Sequence, residues 1–243
     1  PGVWRRWSRW FRRETAHPRP TLTVHERVRL SLEALGPTFI KFGQVMSTRP
    51  DLIPQGMIAE LQKLQESVPP FPSDEAVDAV ERELGRSVRE LYADFDRTPL
   101  AAGSLAQVHR ARHHDGTPLA IKIRRPNAPR DIERDLSLMQ ELASLLERHV
   151  PESRVFDPTG LVSHFARSVR RELNFAREGR TMLEFARLFR DDSSLYVPRV
   201  YPELTTEGVL TMEFVEGLRV DQAYDLAVWP CQPADVAIRG ARI

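Results

Sequence analysis

The sequence predicts an α+β protein in which helices surround one small antiparallel sheet. Residues 100–126, LAAGSLAQVHRARHHDGTPLAIKIRRP, read as strand, small-residue loop, strand, tight turn, strand. Asp115-Gly116 marks the turn, because glycine takes positive φ without steric cost. A second apolar run at Gly208–Phe214 closes the sheet, which therefore spans Leu100 to Phe214. Apolar residues at helical spacing fill the chain before the hairpin and between the hairpin and that last strand.

The elements follow in order. Residues 1–13, PGVWRRWSRWFRR, place Trp4, Trp7 and Trp10 on one helical stripe with five arginines around it. That composition suits a membrane interface, with rings at headgroup depth and Arg on anionic lipid. Packing of the Trp face on the body is an equal reading, and nucleic-acid stacking a weaker one. A Pro-containing linker follows at His17–Pro20. Val24, Val28, Leu32 and Leu35 predict a helix that Gly36-Pro37 breaks. A second helix covers Thr38–Met46, with Lys41 among Phe39, Ile40, Phe42 and Val45, and a third Met57–Leu64. Ser73 is placed to cap a helix ending at Gly85, and Val88–Phe95 continues it. After the hairpin, Asp131 is expected to cap a helix to Val150, with Ile132, Leu136, Met139, Leu142 and Leu146 as its buried stripe. A charged helix from Thr159 to Arg190 is expected to be interrupted near Gly179. Its stripe is Leu161, Phe165, Val169 and Leu173. Val197–Tyr201 and Gly208–Phe214 read as strands. Four segments result: 1–20, the basic aromatic terminus and linker; 21–96, a helical extension; 97–218, a sheet-bearing lobe with a helical insert at 127–190; and 219–243, the start of what leads onward.

Of 243 residues, 41% are hydrophobic, enough for a core, and the net charge of +1 gives no global nucleic-acid signature. The single cysteine, Cys231, rules out an intrachain disulfide framework and suits a reducing compartment. No apolar run approaches the roughly 20 residues of a spanning helix.

In the strand after the turn, period-2 alternation puts Leu119, Ile121 and Ile123 on one face and Ala120 and Lys122 on the other. A Lys beside a small Ala suits a cleft where a flat ring lies against Ala and a cation meets phosphate. The preceding loop follows the glycine-rich pattern of kinases, G-x-G-x-x-G-x-V, with Ala101, Gly103, Ala106 and Val108 in its places. Small side chains let backbone N–H groups approach phosphate oxygens. Taken alone, an amphipathic hairpin with a surface Lys explains these residues as well. Likewise Lys41 alone reads as a snorkelling side chain, and the charges of Arg171–Glu178 as a solvated helix face. His113-His114-Asp115 is a turn and mimics a catalytic loop only in letters.

Taken together, the landmarks resemble the UbiB/AarF atypical kinase-like family over residues 26–226. Lys41-Phe42-Gly43-Gln44 resembles its K-x-G-Q motif. Ala101-Ala102-Gly103-Ser104 resembles its alanine-rich replacement of the glycine loop. Lys122 matches the nucleotide-binding strand Lys, and Glu178 the helix Glu that pairs with it. Glu172 matches the first residue of the family's E-x-D motif, where Asn174 replaces the Asp. Glu213, Phe214 and Val215 resemble the hinge that receives adenine.

The resemblance implies a kinase-like N-lobe that binds ATP or ADP. Val108 and Ala120 would line the cleft, and Lys41, Gly43, Gln44, Glu172 and Asn174 would form a regulatory cleft around it. It implies no catalytic residue and no metal ligand in this chain, since the C-lobe loops are missing, and Mg2+ only with that lobe. It further implies a role in ubiquinone or related isoprenoid-lipid metabolism, in the cytoplasm at a membrane surface, with lipid or lipid-biosynthesis proteins as partners and no nucleic acid. The alternative is a non-catalytic lipid- or partner-binding module using Phe39, Phe42 and Met46.

Overall fold

The computed structural model describes residues 22–64, 68–217 and 233–241. Trp4, Trp7 and Trp10, and with them the expected membrane contact, lie outside the described residues, as does Cys231. The chain divides into two compact units, 1–66 and 67–243.

The first unit contains α1 (Val24–Leu35), α2 (Pro37–Ser47) and α3 (Gln55–Leu61). A capping box starts α1: Glu26 N–H donates to Thr23 Oγ1 at 3.2 Å, and Thr23 N–H donates to the Glu26 carboxylate at 2.7 Å. Gly36, at φ +106°, separates α1 from α2, and Pro37 opens α2 where its missing N–H costs nothing. On α2, a Cβ at Gly43 would lie 2.9 Å from Leu32 Cδ1 and nearer still to Leu64 Cδ1. A side chain there would force the two leucine ends to shift.

The second unit opens with α4 (Ser73–Leu84) and α5 (Val88–Leu91), then β1 (Asp94–Ala102), β2 (Ala106–Arg112) and β3 (Pro118–Arg124). The long α6 (Ala128–His149), a 3-10 turn at Pro151–Phe156, α7 (Pro158–Glu172) and α8 (Phe175–Leu188) follow. A 3-10 turn at Pro202–Leu204, β4 (Val209–Glu213) and α9 (Pro233–Gly240) complete it. The four strands form one antiparallel sheet in the order β1-β2-β3-β4, so the α+β, N-lobe-like class holds. Gly116, at φ +93°, makes the β2–β3 turn.

One sheet face is dry. Leu119, Ile121, Ile123 and Val209 are fully buried with Ala76, Val80, Leu91 and Tyr92 of α4, α5 and the segment after them. Burying such side chains contributes about 1.5–3 kcal/mol each. The same face carries two buried polar residues of β2, Gln107 and His109. Phe71 N–H donates to Gln107 Oε1 at 3.0 Å, which fixes the amide so that Gln107 Nε2 donates to His109 Nε2 at 2.8 Å. His109 is therefore the Nδ1–H tautomer, and it donates to Asp96 O at 2.8 Å.

Several local expectations are corrected. Phe95 lies in β1, which begins at Asp94 and not at Leu100, so the helix after Ser87 stops at Leu91. Ser73 is the first residue of α4, and its hydroxyl donates to Arg97 O at 2.7 Å instead of capping. The helix expected to start at Asp131 starts at Ala128, with Pro129 in its first turn. Its buried stripe is Ile132, Leu136, Met139 and Ala143, while Leu142 and Leu146 are exposed. A stripe stepped by 3.6 residues from Ile132 falls on Ala143, small but correctly placed, in preference to Leu142. Val197–Tyr201 is no strand; only Val200 bridges to Met212. The break in the charged helix falls at Leu173–Asn174 and not at Gly179, because Asn174 caps a new helix. Gly179 instead allows close approach, since a Cβ there would meet Leu210, Thr205 and Val200 at 3.3–3.4 Å.

Candidate functional site

Strand register builds the site. Ala101 pairs with Val108, Val108 with Lys122, and Lys122 with Leu210, a row that crosses all four strands. Ala120 stands in the next row of the same face, between Arg110 and Met212. Paired residues share a face, so Lys122 and Ala120 stand opposite the dry core. Helix α8 packs on this face through Phe175, Met182 and Leu183, with Leu210 and Val200 beneath.

That packing brings Glu178 to Lys122. Lys122 Nζ donates to Glu178 Oε1 at 2.9 Å and Oε2 at 2.7 Å. The ammonium also lies 4.6 Å from the centre of the Phe175 ring. A carboxylate and an aromatic face thus aim one cation while leaving its side chain 27% exposed, accessible to an anion.

The start of α8 is fixed by Asn174 and Arg124. Arg177 N–H donates to Asn174 Oδ1 at 3.0 Å, and Asn174 Nδ2 donates to Glu207 Oε1 at 2.9 Å. Arg124, two residues beyond Lys122, donates through Nη1 to Leu173 O at 2.8 Å and Glu207 O at 3.2 Å. Asn174 is a helix cap here, and Glu172 is the last residue of α7.

Residues 103–105 link β1 to β2. Gly103 N–H donates to Ala106 O at 2.8 Å. Ser104 is buried, and Ala101 and Ala102 end β1. At the far edge, Arg110 covers the Phe214 ring at 4.6 Å. Two hinge amides are engaged within the fold: Glu213 N–H donates to Arg199 O at 2.8 Å and Phe214 N–H to Pro118 O at 2.9 Å. The Glu213 carboxylate accepts from Tyr196 Oη at 2.6 Å and Arg199 N–H at 3.2 Å, and these bonds, Tyr196 first, hold its pKa below the ordinary value. Val215 is exposed.

Lys41, Gly43 and Gln44 belong to the first unit. There Gln44 Nε2 donates to Leu64 O at 3.2 Å, so the glycine and glutamine of the motif hold α2 to the end of their own unit. His113 and Asp115 pair at 3.0 Å in the turn, where Thr117 and then His113 lower the Asp115 pKa to about 2. Sequence reasoning did not single out Arg124, Arg125, Gln107 or His109. The available signal was two adjacent arginines closing the strand that carries Lys122.

The ABC1 atypical kinase-like domain matches residues 63–243 of this chain. The chain belongs to this family. The chain is 45% identical over 202 residues to a "Probable protein kinase UbiB" of Aeromonas salmonicida, covering 83% of itself and 37% of that relative. To "Uncharacterized protein sll1770" of Synechocystis it is 37% identical over 215 residues, covering 88% of itself and 37% of the relative. It thus spans well under half the length of these curated relatives. Among solved structures, the Rv3197–erythromycin complex from Mycobacterium tuberculosis superposes with a TM-score of 0.58 at 28% identity, over 81% of this chain and 45% of that one. No helix among the described residues is long and apolar enough to cross a membrane.

Proposed function

We propose that this chain is the ATP-binding portion of a UbiB-type atypical kinase or ATPase that supports ubiquinone or related isoprenoid-lipid metabolism at a membrane. The observation that carries the reading is the bidentate contact of Lys122 with Glu178, made across 56 residues of sequence. The surrounding residues fit a nucleotide. Ala120 is small enough for a flat ring to lie against the sheet, and the aimed ammonium can meet phosphate oxygens as a point charge. In this reading Lys122 holds the phosphates, Glu178 orients Lys122, and residues 101–104 cover the phosphates with backbone. Val108 and Ala120 contact the base and Val215 offers it backbone groups. ATP, with Mg2+, supplies the transferable phosphoryl group. The chain's own residues bind and orient it.

Isothermal titration of ATP into the protein and its Lys122→Met variant tests this. Saturable binding that weakens at least tenfold in the variant supports the reading; equal affinity for both proteins refutes it. The metabolic role is tested separately: full-length protein with Lys122→Met should fail to restore quinone content to bacteria lacking their UbiB relative.

A further inference from the structure

We propose that Arg125 is the positioning residue of the 103–105 loop, holding the loop open for phosphate. The inference deepens the nucleotide reading and rests on it. Packing does not hold this loop at Gly103: a Cβ there would meet nothing nearer than Ala106 O at 3.8 Å. Besides the Gly103 N–H bond to Ala106 O, two hydrogen bonds to one residue hold it. Arg125 Nε donates to Gly103 O at 2.9 Å, and Arg125 N–H donates to Leu105 O at 2.9 Å. Both ends of the three-residue turn are therefore tied to the residue that follows β3, three positions beyond Lys122. In a trans peptide the N–H points opposite to the C=O. With Gly103 O drawn to Arg125, the Ser104 N–H is turned to the opposite side of the loop, away from the guanidinium.

The guanidinium is itself anchored. Arg125 Nη2 donates to Pro69 O at 2.6 Å, and its carbon lies 5.4 Å from the Phe71 ring centre. Phe71 is in turn fixed by Gln107, which accepts from its N–H at 3.0 Å. Burial among these groups lowers the Arg125 pKa. The fork of a guanidinium serves both Gly103 and Pro69 at once, which a lysine ammonium cannot match in geometry. Arg125 thus couples the segment at residues 69–71 to the loop that would cover phosphate.

The experiment compares the protein with Arg125→Ala and Arg125→Lys. Affinities for ATP and adenosine are measured together with amide hydrogen exchange. The expected result is about tenfold weaker ATP binding in Arg125→Ala, adenosine binding unchanged, and faster exchange at Gly103, whose N–H donates to Ala106 O at 2.8 Å, with β3 protection kept. Arg125→Lys should fall between. Unchanged loop exchange in Arg125→Ala overturns the proposal. So does an equal loss for ATP and adenosine accompanied by a general loss of sheet protection. If the unmodified protein binds no ATP, the nucleotide reading fails, and loop exchange alone then decides whether Arg125 positions the loop.

Discussion

Lys122 and Glu178 meet through both carboxylate oxygens, yet their side chains remain 27% and 38% exposed. An ion pair with that much water contributes little to stability, because solvent screening offsets most of the Coulomb gain. Arg124, on the same strand, is different. It supplies donors to the carbonyls of Leu173 and Glu207, which bracket the start of α8.

The two therefore separate by experiment. Lys122→Met and Glu178→Gln should each change unfolding free energy by less than about 1 kcal/mol. Arg124→Ala should cost about 1–3 kcal/mol, because it leaves the Leu173 carbonyl without its donor in a part-buried junction and removes the ion pair with Glu83. Urea unfolding of the three variants checks this; a Lys122→Met cost above that of Arg124→Ala would contradict it.

Asn174 makes two demands that no single carboxylate meets. Its oxygen caps α8 through Arg177 N–H, and its amide donates to Glu207. Asn174→Asp keeps the cap, since Asp and Asn are equally good there, but sets one carboxylate against another. Asn174→Asp should be less stable than the parent at pH 7. Like-charge repulsion raises the folded-state pKa of the pair, so the deficit shrinks as pH falls and one carboxyl takes up a proton. Adding Glu207→Gln should restore stability at pH 7. A deficit that is independent of pH would count against the charge explanation.

Gly103 is not among the glycines of the described residues that adopt positive φ, and it has room for a methyl group. Gly103→Ala should therefore be tolerated. It should stabilise the protein by about 0.4–1 kcal/mol through lost freedom of the unfolded chain. A fall in the thermal midpoint would show that the loop visits a backbone conformation only glycine allows.

The sheet was legible because β3 alternates strictly and Asp115-Gly116 punctuates it. The contact between residues 122 and 178 was reachable only through the resemblance, as local pattern cannot pair residues across an insert of that length. Strand β2 was harder to read. In AQVHRAR the polar Gln107 and His109 face the core and Val108 the opposite face, so alternation alone gives no sign of which side is inside. Arg124 and Arg125 read as surface charge because most of their partners are backbone carbonyls, which any sequence possesses, and the one carboxylate that Arg124 meets, Glu83, is far away in sequence. Gly179 reads as a helix break in the sequence because propensity speaks only of cost, whereas here the missing side chain admits Leu210 and Val200.

Buried His109 makes the stability of the second unit sensitive to acid. Its Nε2 accepts from Gln107, a bond that requires the neutral ring, whereas its Nδ1–H donates to Asp96 O in either protonation state. Burial lowers its pKa below the ordinary value of 6.5. The unfolded chain therefore takes up a proton near pH 6.5, while the folded chain resists until lower pH. Below about pH 6.5 the unfolded state binds more protons, and stability falls as pH falls towards the folded-state pKa. Above pH 7 the contribution is fully present. His109→Phe can keep a ring on Phe95, against which His109 now stacks at 5.1 Å, but it removes the ring acceptor of Gln107 Nε2 and the donor to Asp96 O. The variant should be less stable than the parent at pH 8, and its stability should change less between pH 7.5 and 5.5. Urea midpoints across that range measure both effects, with the other six histidines common to the two proteins. Parallel pH curves would show that His109 is already protonated, or equally neutral, in both states.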